Sequence, residues 1–308
     1  MIDRIKFLIK DVDFDIVEHL DLTLDELYKK KYVNEVYEGN IENLTVRYHK
    51  TSEDRYMTIK GSLHKYFKGN NYSFFSVEEA KKALLKLEKV VGISKDRFMV
   101  QNVELGVNVR MSKTPMRYIQ TIKYYKFKEF IPMTPYETKV MGYRCKLTNY
   151  EIKFYNKTYD AKVKDDQTAP KNTLRYEIKM SNKYATKNGF IEVTAEKMLD
   201  GIYFRKAIRL MNNLLKKLVY LDLSFNYEGL KPNDIKEYFF ITSDNFKFYA
   251  EHLKDSEEKN PNEKVYKNAM DAKRRLIEKL KPKLTGEFET EFKEKLEKGI
   301  KALSKKEK

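Results

Sequence analysis

From Val103 to Arg110 the chain reads Val-Glu-Leu-Gly-Val-Asn-Val-Arg, with every odd position apolar. A period of two is the mark of a β-strand with one face on a core and the other toward water. The same rhythm returns in four other places. Leu44, Val46 and Tyr48 alternate with Thr45, Arg47 and His49, and Met57 and Ile59 alternate with Thr58 and Lys60. Further on, Ile152 and Phe154 alternate with Lys153 and Tyr155, and Leu174, Tyr176 and Ile178 with Arg175, Glu177 and Lys179. So many half-buried strands call for a largely antiparallel sheet.

Helical signals are interspersed without a βαβ rhythm. Ser76 followed by Glu79 is a capping box, and Ala80, Ala83, Leu84, Leu87 and Val91 then share one face before Gly92 stops the helix. A strand is expected at Met1–Ile9, short acidic helices at Asp13–Tyr32, a helix from Thr114 to Tyr124 after Pro115, a strand at Thr138–Leu147 and a helix at Ile202–Leu223. The fold class is therefore α+β: a curved antiparallel sheet with packed helices, followed by a helical, Lys/Glu-rich C-terminal region. The expected domains are 1–225 and 226–308. Strand pairs around Val46–Lys60 and Ile152–Lys179 form an internal echo that divides the first domain into halves of about 1–112 and 113–225.

Lys and Arg number 62 against 46 Asp and Glu, a net +16 over 308 residues. Such a surplus attracts polyanions through counterion release, and nucleic acid is the leading partner. Excess lysine serving solubility alone is the plainer reading of the same charge. The 23 Tyr and 18 Phe supply core, and rings interleaved with cations also stack on unpaired bases. No run reaches the ~18 apolar residues of a spanning helix, and the first residues lack the apolar block of a secretory signal. A membrane partner is not expected, and the expected compartment is the cytoplasm. The single Cys145 excludes an intramolecular disulfide, and His19, His49, His64 and His252 stand too far apart in sequence for a paired metal motif.

Alternation assigns the polar groups to faces. Glu104, Gly106, Asn108 and Arg110 share one face; so do Lys153, Tyr155 and Lys157, and Arg175, Glu177 and Lys179. If these faces meet, two carboxylates and a tyrosine converge beside several cations. Paired carboxylates hold Mg²⁺ or Mn²⁺, and a tyrosine oxygen can attack phosphorus. Neighbouring Lys and Arg are expected to lower the phenol pKa from about 10. Spacing alone equally fits cross-strand ion pairs on an exposed sheet face.

The same segments resemble a family. Tyr56–Asn71, containing Lys60-Gly61-Ser62 and Gly69-Asn70-Asn71, and then Glu104-Leu105-Gly106-Val107-Asn108, are similar to motifs of the filamentous-phage gene II replication initiators. Phe154-Tyr155-Asn156-Lys157 followed by Leu174-Arg175-Tyr176-Glu177 resembles a motif pair shared with the Rep_trans initiators of rolling-circle plasmids. The resemblance implies a rolling-circle replication initiator: a site-specific, Mg²⁺- or Mn²⁺-dependent DNA nicking-joining endonuclease. It implies double-stranded origin DNA, displaced single-stranded DNA and host replication machinery as partners. Tyr155 becomes the nucleophile that forms a 5′-phosphotyrosine link, Glu104 and Glu177 the metal ligands, and Lys157 and Arg175 phosphate contacts. Lys153, Lys179, Arg110, Arg47 and Lys60 are further expected DNA contacts.

Two positions depart from the family pattern. Asn156 stands where related initiators carry Asp, which leaves Glu151, Asp160 or water to complete a metal shell. Asn70 stands where the phage pattern has His, so that His64 substitutes, the role is lost, or Gly69-Asn70-Asn71 is simply a turn. Lys273-Arg274-Arg275 lies outside the resemblance and reads as a phosphate contact or a solvated helix face. The alternative reading of the whole is a non-catalytic, sequence-specific double-stranded DNA-binding protein of a phage or plasmid. A third is an RNA-binding or structural module.

Overall fold

The structure, a computed structural model, describes residues 2–26, 35–126, 128–135, 139–220, 231–260, 264–280 and 286–304. Thirteen strands are present among them: β1 (Ile2–Lys10), β2 (Thr23–Leu24), β3 (Glu35–Ile41), β4 (Leu44–Lys50), β5 (Arg55–Ser62), β6 (Met99–Arg110), β7 (Ile122–Tyr125), β8 (Lys128–Glu129), β9 (Ile131–Met133), β10 (Gly142–Lys146), β11 (Tyr150–Asn156), β12 (Thr173–Met180) and β13 (Leu218–Tyr220). Ten form one antiparallel sheet in the order β2-β3-β4-β5-β1-β6-β12-β11-β10-β9, and β13-β7-β8 form a small second sheet. The α+β expectation holds.

Each period-two segment buries the face that alternation assigns to it. Val46, Tyr48, Met57, Ile59, Val103, Leu105, Ile152, Phe154, Tyr176 and Ile178 lie in one continuous core. Helix Val77–Val91 covers part of it, its capping box complete and Gly92 left-handed at φ 72°. The last helix, Glu287–Ala302, enters the same core through Phe292, Leu296 and Ile300. A Cβ on Gly299 would lie 2.5 Å from Val109 Cγ1, so glycine sets how closely this helix approaches β6. Helices Pro232–Thr242, Asp244–Lys259 and Val265–Leu280 build a smaller core of Ile241, Phe246 and Ile277. No helix among the described residues is long and apolar enough to cross a membrane.

The large sheet is built twice. β1, the short helix Asp15–His19 and the β3-β4-β5 meander return β5 to the side of β1. β6, the short helix Pro115–Ile119 and the β10-β11-β12 meander return β12 to the side of β6 in the same way. A helix capped by Ser62 follows β5 and one capped by Ser181 follows β12. The halves meet antiparallel at β1 and β6, with Ile5 opposite Val103 on the axis. On one side of this pair Asp3 and Arg4 stand opposite Glu104 alone; on the other Gln101 and Asn102 stand opposite Lys6 alone. The two β-bulges are images of each other. An offset of 98 residues, from Ile5 to Val103, thus relates β1 to β6.

Some elements differ from the sequence reading. The helix expected to run to Tyr124 ends at Ile119, where Thr121 Oγ1 donates to Tyr118 O at 2.7 Å, and Ile122–Tyr125 pairs as a strand instead. The helix expected over Ile202–Leu223 spans Gly201–Leu215 and gives way to β13, which pairs with β7. Branched and aromatic residues in both stretches favour the pleated pairing. Within Asp13–Tyr32, helix Asp15–His19 is followed by the two-residue β2; residues 27–32, like 136–138 and 221–223, lie outside the described set. Lys273 is neither solvated nor free for phosphate: it is buried, its Nζ 4.2 Å from the Tyr124 ring centroid and 4.3 Å from that of Phe246.

Candidate active site

The face of the sheet opposite the core forms the floor of a groove of about 750 Å³. Strand order brings three polar faces side by side. In the β12–β6 register Glu177 lies opposite Gly106 and Lys179 opposite Glu104; in the β11–β12 register Lys153 lies opposite Glu177 and Tyr155 opposite Arg175. The sequence-predicted convergence of Glu104, Tyr155 and Glu177 is present.

Tyr155 Oη donates to Glu177 Oε2 at 3.0 Å, and Lys153 Nζ donates to Glu177 Oε1 at 2.9 Å. A third carboxylate joins them. Oxygens of Asp3, Glu104 and Glu177 all lie within 4.8 Å of one another. Asp3 escaped the sequence reading because Ile5, Phe7 and Ile9 set a phase that turns residue 3 into the core; the bulge at Asp3–Arg4 reverses it. The one available signal was Ile2, apolar but out of phase with Ile5, Phe7 and Ile9.

Arg175 lies beneath the cluster and is 2% exposed. Its Nε donates to Glu177 Oε2 at 3.3 Å and its Nη2 meets Asp3 Oδ2 at 2.8 Å. Nη1 donates to Asn108 Oδ1 at 3.1 Å and Asn71 O at 3.0 Å. Arg175 is thus a strut between two carboxylates, its fork turned to the protein and away from any phosphate. A Cβ on Gly106 would come within 2.6 Å of Nη2, so glycine opens the space the guanidinium occupies.

Electrostatics follow from this packing. Burial and the charge of Glu177 raise the Glu104 pKa. Burial acts to raise Asp3 as well, but the Arg175 guanidinium and then Lys157 bring it below the ordinary carboxylate range. Tyr155 departs from expectation: burial, then the Glu177 anion, push its phenol well above 10, and Arg175 offsets only part of this. Burial and Arg175 lower the Lys157 amine, whose Nζ donates to Asp160 Oδ2 at 2.6 Å.

Other predicted residues fall around this centre. Arg47, Lys60, Lys153, Lys157 and Lys179 line the groove. Glu151 pairs with Arg144 and Lys153 at 3.6 Å each, and Asp160 with Lys157, so neither belongs to the three-carboxylate cluster. Asn156 caps helix Lys157–Asp165 by accepting from Tyr159 N, while Arg110 is exposed at the end of β6 and outside the groove lining. His64 is buried behind the floor, stacked on Phe75 and hydrogen-bonded to Ser73 Oγ at 3.0 Å, and burial depresses its pKa to about 2. Gly69-Asn70-Asn71 is a turn: Gly69 is left-handed, and Asn70 Oδ1 accepts from the Tyr72 and Ser73 amides.

All-oxygen ligands suit Mg²⁺ or Mn²⁺, and burial together with the neighbouring Glu177 charge raises the Glu104 pKa, a cost that a divalent cation would relieve. The residues present fit such an ion. No family model matches this chain, and no curated protein matches it.

Proposed function

We propose that the chain is a metal-dependent DNA nicking-joining endonuclease that initiates rolling-circle replication, with Tyr155 as nucleophile. The observation that carries this reading is the hydrogen bond from Tyr155 Oη to Glu177, a member of a three-carboxylate cluster on the floor of a groove lined by nine Lys or Arg and five Asp or Glu. Cations along the walls attract the backbone, and the carboxylates stand where the ester would be cut.

Tyr155 Oη attacks phosphorus while its proton passes to Glu177 Oε2, 3.0 Å away. The bond from phosphorus to the 3′ oxygen breaks, and that oxygen takes a proton from solvent to become the free 3′ hydroxyl. The 5′ phosphate stays esterified to Tyr155 until a 3′ hydroxyl attacks it and restores the backbone. Lys153 and Arg175 hold Glu177 in place from two sides. A divalent cation held by Asp3, Glu104 and Glu177 would supply charge stabilisation at the phosphoryl oxygens. Because the phenol pKa is raised, proton acceptance by Glu177 takes the place of prior ionisation. The origin duplex, the displaced strand and host replication proteins are the partners this reading requires.

The test is supercoiled DNA of the replicon that encodes the chain, incubated with Mn²⁺ and then denatured. A covalent protein–DNA adduct is expected, lost in Tyr155→Phe with binding retained. An adduct that persists in Tyr155→Phe overturns the assignment. Binding with no adduct from the unaltered chain leaves the non-catalytic DNA-binding reading, which the 8% exposure of Tyr155 favours.

A further inference from the structure

The internal two-fold gives each residue of the cutting site a counterpart in the first half. Register fixes the matches: the pair Lys153–Glu177 of β11 and β12 corresponds to Arg47–Thr58 of β4 and β5. Tyr155–Arg175 corresponds to His49–Tyr56, and Glu104–Lys179 to Lys6–Lys60. Two cations are kept, Arg47 for Lys153 and Lys60 for Lys179, while Tyr56 stands for Arg175. The carboxylates are not. Thr58 stands for Glu177, Lys6 for Glu104, and Gln101 for Asp3 at the mirrored bulge.

The counterpart of the nucleophile is a stacked ring. His49 lies on Tyr56 with centroids 4.5 Å apart and planes 11° from parallel, and it lines the same groove as Tyr155. Burial, Arg47 and Lys6 lower its pKa, so the ring is neutral at pH 7. Arg47 is held by Glu38 at 2.7 Å, whereas among the described residues Lys6 and Lys60 have no acidic partner.

We propose that the first half is a second, non-cutting subsite of the groove, which holds single-stranded DNA flanking the scissile phosphate. The His49 ring, backed by Tyr56, takes an unpaired base, and Lys6 and Lys60 take its phosphates. Only an unstacked base offers its face to a ring, which selects single strand over duplex. From β4 to β11 is five strand spacings, about 24 Å at ~4.8 Å each, a distance within the span of one short single-stranded segment. This assignment rests on the reading of the groove as a DNA site.

The test is fluorescence anisotropy of the full chain with labelled oligothymidylate of about 12 nucleotides, in EDTA so that no cleavage occurs. Lys6→Gln with Lys60→Gln should lower the slope of log K against log salt by about 1.4, or ~0.7 per lost phosphate contact. His49→Ala should weaken binding about 5- to 150-fold without changing that slope, and should have no effect on an abasic oligonucleotide of the same length. His49→Phe, which keeps a ring, should restore affinity and so separates stacking from misfolding. Unchanged affinity and slope in these variants overturn the proposal, as does equal His49 dependence with duplex DNA. A chain that forms the Tyr155 adduct yet shows none of these losses sinks this proposal alone. One that shows the losses but forms no adduct sinks the nicking reading alone.

Discussion

Replacing Arg175 by Met removes the strut under the site while keeping an unbranched apolar stem. The guanidinium is 2% exposed and serves two carboxylates, Asp3 and Glu177, and two neutral acceptors, Asn108 Oδ1 and Asn71 O. Breaking a buried ion pair by deleting one partner costs about 3–5 kcal/mol, and two charge-assisted hydrogen bonds at about 1.5–3 kcal/mol each give the same scale. The expected loss in urea unfolding at pH 7 is therefore about 3–5 kcal/mol, a large share of a typical ~5–15 kcal/mol total. Asp3 sets the pH dependence. Its folded pKa lies below the unfolded one, so its stabilising contribution is present above about pH 4 and disappears as pH falls through the folded value. The gap between variant and wild type should thus be wider at pH 7 than below pH 4. Metal supplies a second readout. With Arg175 gone, the three carboxylates keep the ion pairs of Lys153 with Glu177 and Lys179 with Glu104 but lose their most buried cation, and Mn²⁺ should bind more tightly and raise the melting temperature further than in wild type. An Arg175→Met chain within 1 kcal/mol of wild type at pH 7, or one with no larger Mn²⁺ increment, refutes the strut.

Glu104→Gln tests the opposite case. The folded pKa of Glu104 is raised, so the group favours folding below its unfolded pKa of about 4.3 and loses that contribution as pH climbs through the folded value. At pH 7 without metal the variant should melt higher than wild type, and its Mn²⁺ increment should vanish; a lower melting point contradicts the account of Glu104 as a buried carboxylate beside Glu177. Lys273→Met concerns the C-terminal helices. Burial lowers the Lys273 pKa to about 8, so the unfolded chain binds the extra proton between pH 8 and about 10.4, and wild-type stability should rise across that window. The variant should lack the rise and be at least as stable at pH 7, as urea titrations at both ends of the window would record.

Much of the site was legible because alternation needs no tertiary information. Glu104 and Gly106, Lys153 and Tyr155, and Arg175 and Glu177 each face the side their strand assigns, since one wrong phase would bury every cation of the strand. What alternation does not carry is strand order. That β12 lies between β6 and β11 depends on packing across distant segments. Asp3 was hidden by a one-residue change of phase, whereas Lys157 was read onto the groove face although a helix, not the strand, begins there. The phenol pKa was misjudged for a different reason: neighbouring cations were counted, but Arg175 and Lys153 also bind Glu177, whose charge adds to burial in raising Tyr155.

The two-fold also accounts for the faintness of the internal echo in the sequence. Core positions match in kind: Val46 with Ile152, Tyr48 with Phe154, Ile59 with Ile178. Both halves fill similar space beneath one sheet, and a close-packed interior tolerates swaps of like volume but few others. Groove positions carry no such constraint. Thr58 against Glu177 and His49 against Tyr155 differ in charge and chemistry because each half partners its groove side chains in its own way, Glu177 with Lys153, Tyr155 and Arg175, and His49 with the Tyr56 ring. Similarity therefore survives at every second residue of each strand, and an alternating match over a few residues is weak evidence until the paired bulges of β1 and β6 fix the offset.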